Sequence, residues 1–438
     1  MIFLAYRLAV GGVRAVSPLL SAGDSKLARG IAGRRHAHGL LRSWGRTLRD
    51  PERPLLWFHA PSVGEGLQAQ AVIRAVLERR PEIQIVYTFF SPSAEDLARR
   101  MDADVATYLP WDLRGPSRAA LEALRPDLLA FTKTEVWPVL AATADEAGVP
   151  VAIVGATVPE GAGRMRWPAR TLLRSTWGRL AVACANTEED AARLARLGVR
   201  GEAIRITGDP GIDSAARRFG SADPGARYLA PFRARTRPTV VAGSTWPADE
   251  AVLLPGLVEA RRRLPSLRVL IAPHEPDDRH VGALLASLRG MGWSAARLAE
   301  VEASGTADDV DAVVVDRVGV LAHLYGIGDV SFVGGGFHDA GLHSVLEPAA
   351  AGTPVVFGPK HRNARAAGEL VASGGARVAT DSGDFAEIVS GWLSDHEERK
   401  RIGRVAREYI VAHLGAAERS ADILLETIGR AGARSGTR

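Results

Sequence analysis

Lysine and cysteine are almost missing from this chain of 438 residues. Lys26, Lys133, Lys360 and Lys400 are its only lysines, so nearly all of the 55 basic residues are arginines. Cys184 stands alone, which excludes an intramolecular disulfide and a cysteine-built zinc site. A histidine zinc motif is missing as well: His274-Glu275 is followed by His280, which is not the HExxH spacing. The apolar residues near the N-terminus (Ile2, Phe3, Tyr6, Leu8, Val10, Val13, Val16, Leu19 and Leu20) are interrupted by Arg7 and Arg14. Spanning a bilayer takes about twenty uninterrupted apolar residues, so this stretch makes a poor transmembrane helix. It also lacks a small-residue cleavage site of the secretory kind.

What is present is an ordinary globular balance, 46% apolar and 24% charged, which excludes a mainly disordered chain. At roughly 100–200 residues per domain the length points to two domains. Charge is unevenly spread. Residues 1–50 hold nine basic residues against Asp24 and Asp50, a balance of +7, whereas the whole chain carries +5. The body is therefore slightly acidic, which argues against a nucleic-acid partner. An apolar helix followed by a polybasic stretch fits a segment lying in the interface of an anionic membrane. A helix packed on its own protein is the competing reading.

From residue 55 onward, short apolar runs alternate with helical stretches. Strands are expected at 55–59, 83–89, 127–131, 150–154 and 180–184, and again at 239–242, 268–272, 312–315, 330–333 and 354–357. Between the first two, Leu67, Ala71, Val72, Val76 and Leu77 recur at helical spacing. This rhythm predicts an α/β protein of two doubly wound parallel sheets facing a ligand cleft. The expected organisation is an N-terminal membrane-associated segment at 1–50, a first domain at 51–220, a linker rich in Gly, Pro and Arg at 221–238, and a second domain at 239–430.

The loops after the strands carry the chemistry. After the first strand comes Ala60-Pro61-Ser62-Val63-Gly64-Glu65, which reads either as a capping box, Ser62 with Glu65, or as a carboxylate available as a base. Thr132 and Glu135 repeat the same spacing. In the second half, Gly334-Gly335-Gly336 follows a strand, then Gly341-Leu342-His343-Ser344-Val345-Leu346-Glu347-Pro348. A glycine-rich loop opening a short helix presents backbone N–H groups to an anion. Glu347, four residues after His343, falls on the same helix face; in a sugar-nucleotide site a carboxylate there accepts from both ribose hydroxyls, and a tight strand–helix turn with a surface glutamate is the competing reading.

Taken together, HAPSVGE, KTEVWP, GDPGID, GSTWPADE, APHEP, FVGGGF with GLHSVLEPAAAGTPVVFGP, and the N-terminal AYRLAV with SKLARGIAGRR resemble the 3-deoxy-D-manno-octulosonic acid (Kdo) transferases. The resemblance implies a GT-B fold of two Rossmann-like domains. It also implies transfer of Kdo from CMP-Kdo to a lipid A precursor of the lipid IVA type, at the cytoplasmic face of the inner membrane and without a metal or cofactor. It makes Glu65 the catalytic base of an inverting reaction, with Ser62, Lys133 and Glu135 on the acceptor side. Gly243, Ser244, Thr245, Pro273, His274, Gly335, His343, Ser344, Glu347 and Asn363 fall on the donor side. N–H groups at a helix start at Gly341–Ser344, with Lys360 or Arg362, are expected to stabilise the departing CMP. Three departures stand out. Lys133 replaces a common Glu, Gly155-Ala156-Thr157-Val158-Pro159 replaces an Asn-Ala-Arg-Leu-Ser motif, and Ser344 replaces a common Asn. Arg164 and Arg166 are candidate basic substitutes for the second. A GT-B enzyme with another donor or acceptor, and a non-catalytic nucleotide-sugar-binding membrane protein, are the alternative functions.

Overall fold

The computed structural model describes residues 2–17, 25–223, 225–234 and 237–435. The chain divides into two compact units, Met1–Ser214 with Leu414–Arg438, and Ala215–His413.

The first unit is built on seven parallel strands: β1 (Leu55–His59), β2 (Gln84–Phe89), β3 (Val105–Tyr108), β4 (Leu128–Thr132), β5 (Val151–Ala156), β6 (Leu180–Ala185) and β7 (Ile204–Ile206). Their order is β3-β2-β1-β4-β5-β6-β7. Phe58 pairs with Tyr87 on one side and Ala130 on the other. Every residue of β1, β4 and β5 is buried, as helices on both faces of a parallel sheet require.

The second unit repeats the plan with β8 (Thr239–Thr245), β9 (Arg268–Pro273), β10 (Ala295–Arg297), β11 (Ala312–Val314), β12 (Val330–Val333), β13 (Val355–Phe357) and β14 (Ala376–Val378). The order is β10-β11-β9-β8-β12-β13-β14, again parallel.

Two expected boundaries need correction. The last helix, Ala416–Ser435, belongs to the first unit. Ala417, Ala421, Leu424 and Ile428 recur at helical spacing and pack with Ala69, Val72, Ile73 and Val76 of the helix Val63–Arg79. The segment 221–238 is no linker either, although Pro224, Arg235 and Thr236 lie outside the described residues. Tyr228, Leu229 and Phe232 pack with Val241, Leu270 and Val313 of the second unit. The Arg237 guanidinium donates to the carbonyls of Ser266, Leu267 and Val310 and pairs with Asp311. The passage between units falls instead within the helix Pro210–Gly220.

The basic N-terminal segment is also more structural than expected. The helix Lys26–Thr47 buries Ala28, Ile31, Ala37, Leu41 and Trp44. A Cβ at Gly45 would stand 2.3 Å from the Ala123 carbonyl oxygen, so only glycine permits this close approach. Arg34, expected to serve a polybasic surface, is buried. It donates to the carbonyls of Gly30 at 2.7 Å and Phe90 at 2.8 Å, and lies 3.8 Å over the Phe90 ring. Burial lowers its pKa to about 10. The preceding helix, Ile2–Val16, is fixed by the Tyr6 hydroxyl, which donates to Asp112 at 2.8 Å. Asp112 also accepts the backbone N–H groups of Val139 and Leu140, at the start of the helix Pro138–Glu146. Leu8, Val13 and Val16 remain exposed, whereas Leu19 and Leu20 lie outside the described residues. Among the described residues, no helix is long and apolar enough to cross a membrane.

Candidate active site

In both sheets the strand order reverses beside the first strand laid down. In the first unit β1 is flanked by β2 and β4, and in the second β8 is flanked by β9 and β12. Loops at the carboxyl ends of such neighbouring strands diverge to opposite faces and leave a crevice, the usual ligand site of open α/β sheets.

The loops after β1 and β4 bring Glu65, Ser62 and Lys133 together. Ser62 occupies the N-cap position of the helix Val63–Arg79 with extended backbone, yet its side chain caps nothing. Its hydroxyl donates to the Glu65 carboxylate, so the capping box suggested by the spacing does not form. Lys133 Nζ stands 3.6 Å from the other carboxylate oxygen. The Glu65 side chain is 16% exposed and that of Lys133 39%. Lys133 has a left-handed backbone, with φ of 67°, and its N–H donates to the Val154 carbonyl at 2.8 Å. A lysine in that region is strained by roughly 1–3 kcal/mol, a cost proteins concentrate at functional loops.

Glu135 follows on the same loop. No helix starts at Thr132, so this second apparent capping box is also absent. Partial burial raises the Glu135 carboxyl above its ordinary range, as does the charge of Glu65, while Arg164 opposes the shift. Arg164 also donates to the Thr134 carbonyl, so the basic substitute proposed for the altered motif does face this loop.

Beneath the loops lies a buried polar layer that the sequence reading missed. Thr88 Oγ1 donates to the Phe58 carbonyl at 3.2 Å and accepts from Trp57 Nε1 at 2.9 Å. It therefore also accepts from His59 Nδ1, at 3.1 Å, which fixes the proton on that nitrogen. Burial depresses the His59 pKa to about 3, so the ring is neutral at physiological pH. His59 Nε2, Thr132 Oγ1, Tyr87 Oη and Trp137 Nε1 have no protein hydrogen-bond partner among the described residues. The Tyr87 hydroxyl is pushed up by burial and by the nearby Glu65 charge.

In the second unit, Gly243 on β8 pairs with Val333 on β12, so the loops after the two strands leave side by side. The β8–β9 register slips between Gly243 and Thr245, leaving Ser244 as a bulge with φ of 55°. Thr245 Oγ1 donates to Glu250 at 2.8 Å, and Glu250 meets His280 at 3.0 Å. Gly334 is obligatory, since a Cβ there would lie 2.2 Å from the Ser244 carbonyl oxygen.

Two expectations for this site are overturned. Most N–H groups of the glycine loop are not held out for a ligand, that of Gly334 donating to the Gly243 carbonyl. Those of Gly335 and Phe337 donate to the fully buried carboxylate of Asp249, at 2.7 and 3.1 Å, which also accepts from Trp246 N at 2.9 Å. The helix after the loop starts at Leu346, not at Gly341–Ser344. Three of the intervening N–H groups are already committed: Gly341 to the His338 carbonyl, Leu342 to Asn363 Oδ1 and His343 to the Gly334 carbonyl. Asn363 returns a bond to the Leu342 carbonyl at 2.8 Å, so its amide clamps this backbone. Of the expected cations, Lys360 is paired with Asp339 at the surface and Arg362 is exposed.

A ring stack joins the loops. Trp246 stacks on His274 at 4.5 Å and on His338 at 4.4 Å, and His274 stacks on His343 at 4.5 Å. Trp246 Nε1 donates to His343 Nε2 at 2.9 Å. Burial, and then the neighbouring histidines, lower the His343 pKa to about 4. Pro273 ends β9 as a buried residue, and the following His274 N–H donates to the Thr245 carbonyl at 2.9 Å. Ser344 is exposed, its hydroxyl accepting from Leu346 N at 3.3 Å. Glu347, in the first turn of the helix Leu346–Ala351, is 13% exposed and is ion-paired with Arg218. Asp249 carried one readable signal, its place three residues after Trp246 behind Pro247 at a helix start. Arg218 carried none, because its partner lies 129 residues away in the chain.

Solved structures share this architecture. UDP-GlcNAc 2-epimerase from Neisseria meningitidis superposes with a TM-score of 0.60 at 15% identity, over 86% of this chain and 100% of the epimerase. The corresponding enzyme from Methanocaldococcus jannaschii gives 0.57 at 15% identity, over 85% and 99%. At such identities the likeness is one of fold, the two-unit α/β arrangement of the GT-B class. Sequence relatives narrow the class. The 3-deoxy-D-manno-octulosonic acid transferase of Bordetella pertussis is 30% identical over 391 residues, covering 85% of this chain and 87% of that one. The Haemophilus influenzae protein of the same name is 26% identical over 376 residues, covering 84% and 86%. The family model described as 3-deoxy-D-manno-octulosonic-acid transferase (kdotransferase) matches residues 37–214. The chain belongs to the 3-deoxy-D-manno-octulosonic acid transferase family and is a glycosyltransferase.

Proposed function

We propose that the chain moves Kdo from CMP-Kdo to a hydroxyl of a lipid A precursor of the lipid IVA type, with inversion and with Glu65 as general base. The observation that carries this reading is the placing of Glu65 at the carboxyl ends of β1 and β4, held by Ser62 and faced by Lys133. An acceptor hydroxyl must shed its proton as it attacks, and a positioned carboxylate accepts it. Lys133 sets a positive charge beside that carboxylate, and this charge suits an acceptor bearing phosphate. Family membership supports the Kdo donor. The nucleotide is assigned to the second unit, with Glu347 accepting from the ribose hydroxyls and the loops at Ser244-Thr245 and Pro273-His274 beside it. The Gly335 loop, His343 and Asn363 shape that pocket.

The Glu65→Gln variant tests the base. It keeps the size and the bond from Ser62 but cannot take the proton, so turnover should fall at least about 10²-fold with CMP affinity unchanged. Near-normal transfer would move the base elsewhere, with Glu135 the next carboxylate to examine. We also place the reaction at the cytoplasmic face of the inner membrane, because Leu8, Val13 and Val16 leave apolar surface on the helix Ile2–Val16 beside Arg7 and Arg14. Removing residues 1–20 should abolish flotation with anionic liposomes. Undiminished flotation would put the membrane contact on another surface.

A further inference from the structure

Glu347 is a largely buried carboxylate that the sequence placed at the start of a helix. Its side chain is 13% exposed, and it lies close enough to the fully buried Tyr325 to help push that hydroxyl's pKa up, after burial itself. The orientation of a largely buried carboxylate is set by the partner that pairs with it. Arg218, on the helix Pro210–Gly220, is that partner, pairing with Glu347 Oε1.

Arg218 is itself held by a chain of hydrogen bonds. Its carbonyl can only accept, so His323 Nε2 donates to it, at 3.0 Å. In the neutral ring Nδ1 is then the acceptor, and it receives the Tyr228 hydroxyl. Tyr228 and His323 come from the stretch first expected to be a linker and from the helix Leu321–Leu324, so the support spans three separate parts of the second unit. An ionised carboxylate has about four lone-pair directions. One contact to Arg218 leaves the others open to a vicinal diol.

We propose that Arg218 is a positioning residue that holds the Glu347 carboxylate aimed at the ribose of the donor nucleotide. The inference rests on the reading of Glu347 as the ribose acceptor. It adds that this recognition fails without the arginine, although Arg218 itself makes no bond to the nucleotide. A Glu347 turned away would lose the charge-assisted bonds to the 2′- and 3′-hydroxyls, and base and phosphate contacts would persist.

Calorimetric binding of CMP and of 2′-deoxy-CMP separates these contributions, because the second ligand lacks one of the two hydroxyls. The wild-type protein should prefer CMP by about tenfold or more, as for a hydrogen bond to a charged group. In Arg218→Gln that preference should collapse toward one, with 2′-deoxy-CMP affinity within about threefold of wild type. Arg218→Lys, which keeps the charge, should restore at least half of the preference on a logarithmic scale. Circular dichroism and melting confirm that each variant is folded, and a variant that does not fold yields to Arg218→Lys as the deciding protein. An undiminished preference in Arg218→Gln overturns the proposal, and so does an equal loss of both ligands, which is the mark of a merely structural role. Glu347→Gln tests the underlying reading separately. If it retains the wild-type preference, Glu347 is not the ribose acceptor and both ideas fall. If it loses the preference while Arg218→Gln keeps it, only the proposal about Arg218 falls.

Discussion

The two units share a seven-stranded parallel plan and a crevice at the reversal of strand order, yet they treat the loops there in opposite ways. In the first unit the loops after β1 and β4 hold charged side chains, Glu65, Lys133 and Glu135, over a buried layer with several polar atoms that have no partner among the described residues. In the second the loops after β8 and β12 are bound to one another. Asp249 takes three backbone N–H groups, Asn363 clamps Leu342, and four rings stack across the top. Each unit places one non-glycine residue in the left-handed region at its crevice, Lys133 in one and Ser244 in the other. The common scaffold fixes where a site can lie, whereas its loops decide whether charged side chains or interlocked backbone line it.

That contrast can be broken from either side. The largest effect belongs to Glu65→Gln, where a loss of at least about 10²-fold in turnover with intact CMP binding would confine the chemistry to the first unit. Asp249→Ala comes next. Three N–H groups lose a charged acceptor, so the second unit should be destabilised by about 2–4 kcal/mol and bind CMP more weakly. Asp249→Asn, which keeps one acceptor oxygen, should suffer less. Unchanged melting and CMP affinity in Asp249→Ala would show that the glycine loop is rigid without its carboxylate.

The smallest effect is one of pH. His59 has a pKa of about 3 against an ordinary 6.5, so the folded state binds fewer protons than the unfolded state below that ordinary value. Its stabilising effect is therefore complete above about pH 6.5 and declines as the pH falls toward 3, by up to about 1.4 kcal/mol per pH unit. Urea unfolding at pH 7 and pH 5 should show an acid-dependent loss of about 1–2 kcal/mol attributable to this ring, and His59→Gln should remove that part. An acid slope unaltered by the substitution would mean that other groups dominate.

Ten of the fourteen strands were legible in the sequence, and the four that were not share a position. Val105–Tyr108, Ile204–Ile206, Ala295–Arg297 and Ala376–Val378 are β3, β7, β10 and β14, the outer strands of the two sheets. An edge strand is short and covered on fewer sides, so it lacks the continuous apolar run that marks a central one. The loops followed a similar logic. Glu65 and Lys133 were readable because they stand next to strands in a motif. The capping reading of Ser62 failed because the hydroxyl found a carboxylate oxygen instead of a backbone N–H. The glycine loop looked like an anion cradle because sequence shows that N–H groups can be unhindered, not that Asp249, 86 residues before Gly335, already occupies two of them. The domain boundary was misplaced for the same reason: only three-dimensional packing brings Leu424 and Ile428 onto the helix Val63–Arg79.

That return of the final helix has a consequence for how the molecule is made. The second unit is one unbroken stretch, Ala215–His413, whereas the first needs both Met1–Ser214 and the helix Ala416–Ser435. At roughly 5–20 residues per second of synthesis, the intervening stretch separates the two parts by about 10–40 s. Throughout that interval the faces of Val72, Val76, Val182 and Cys184 that Leu424 and its neighbours will cover have no partner. The half of the enzyme that leaves the ribosome first is therefore the half that is completed last.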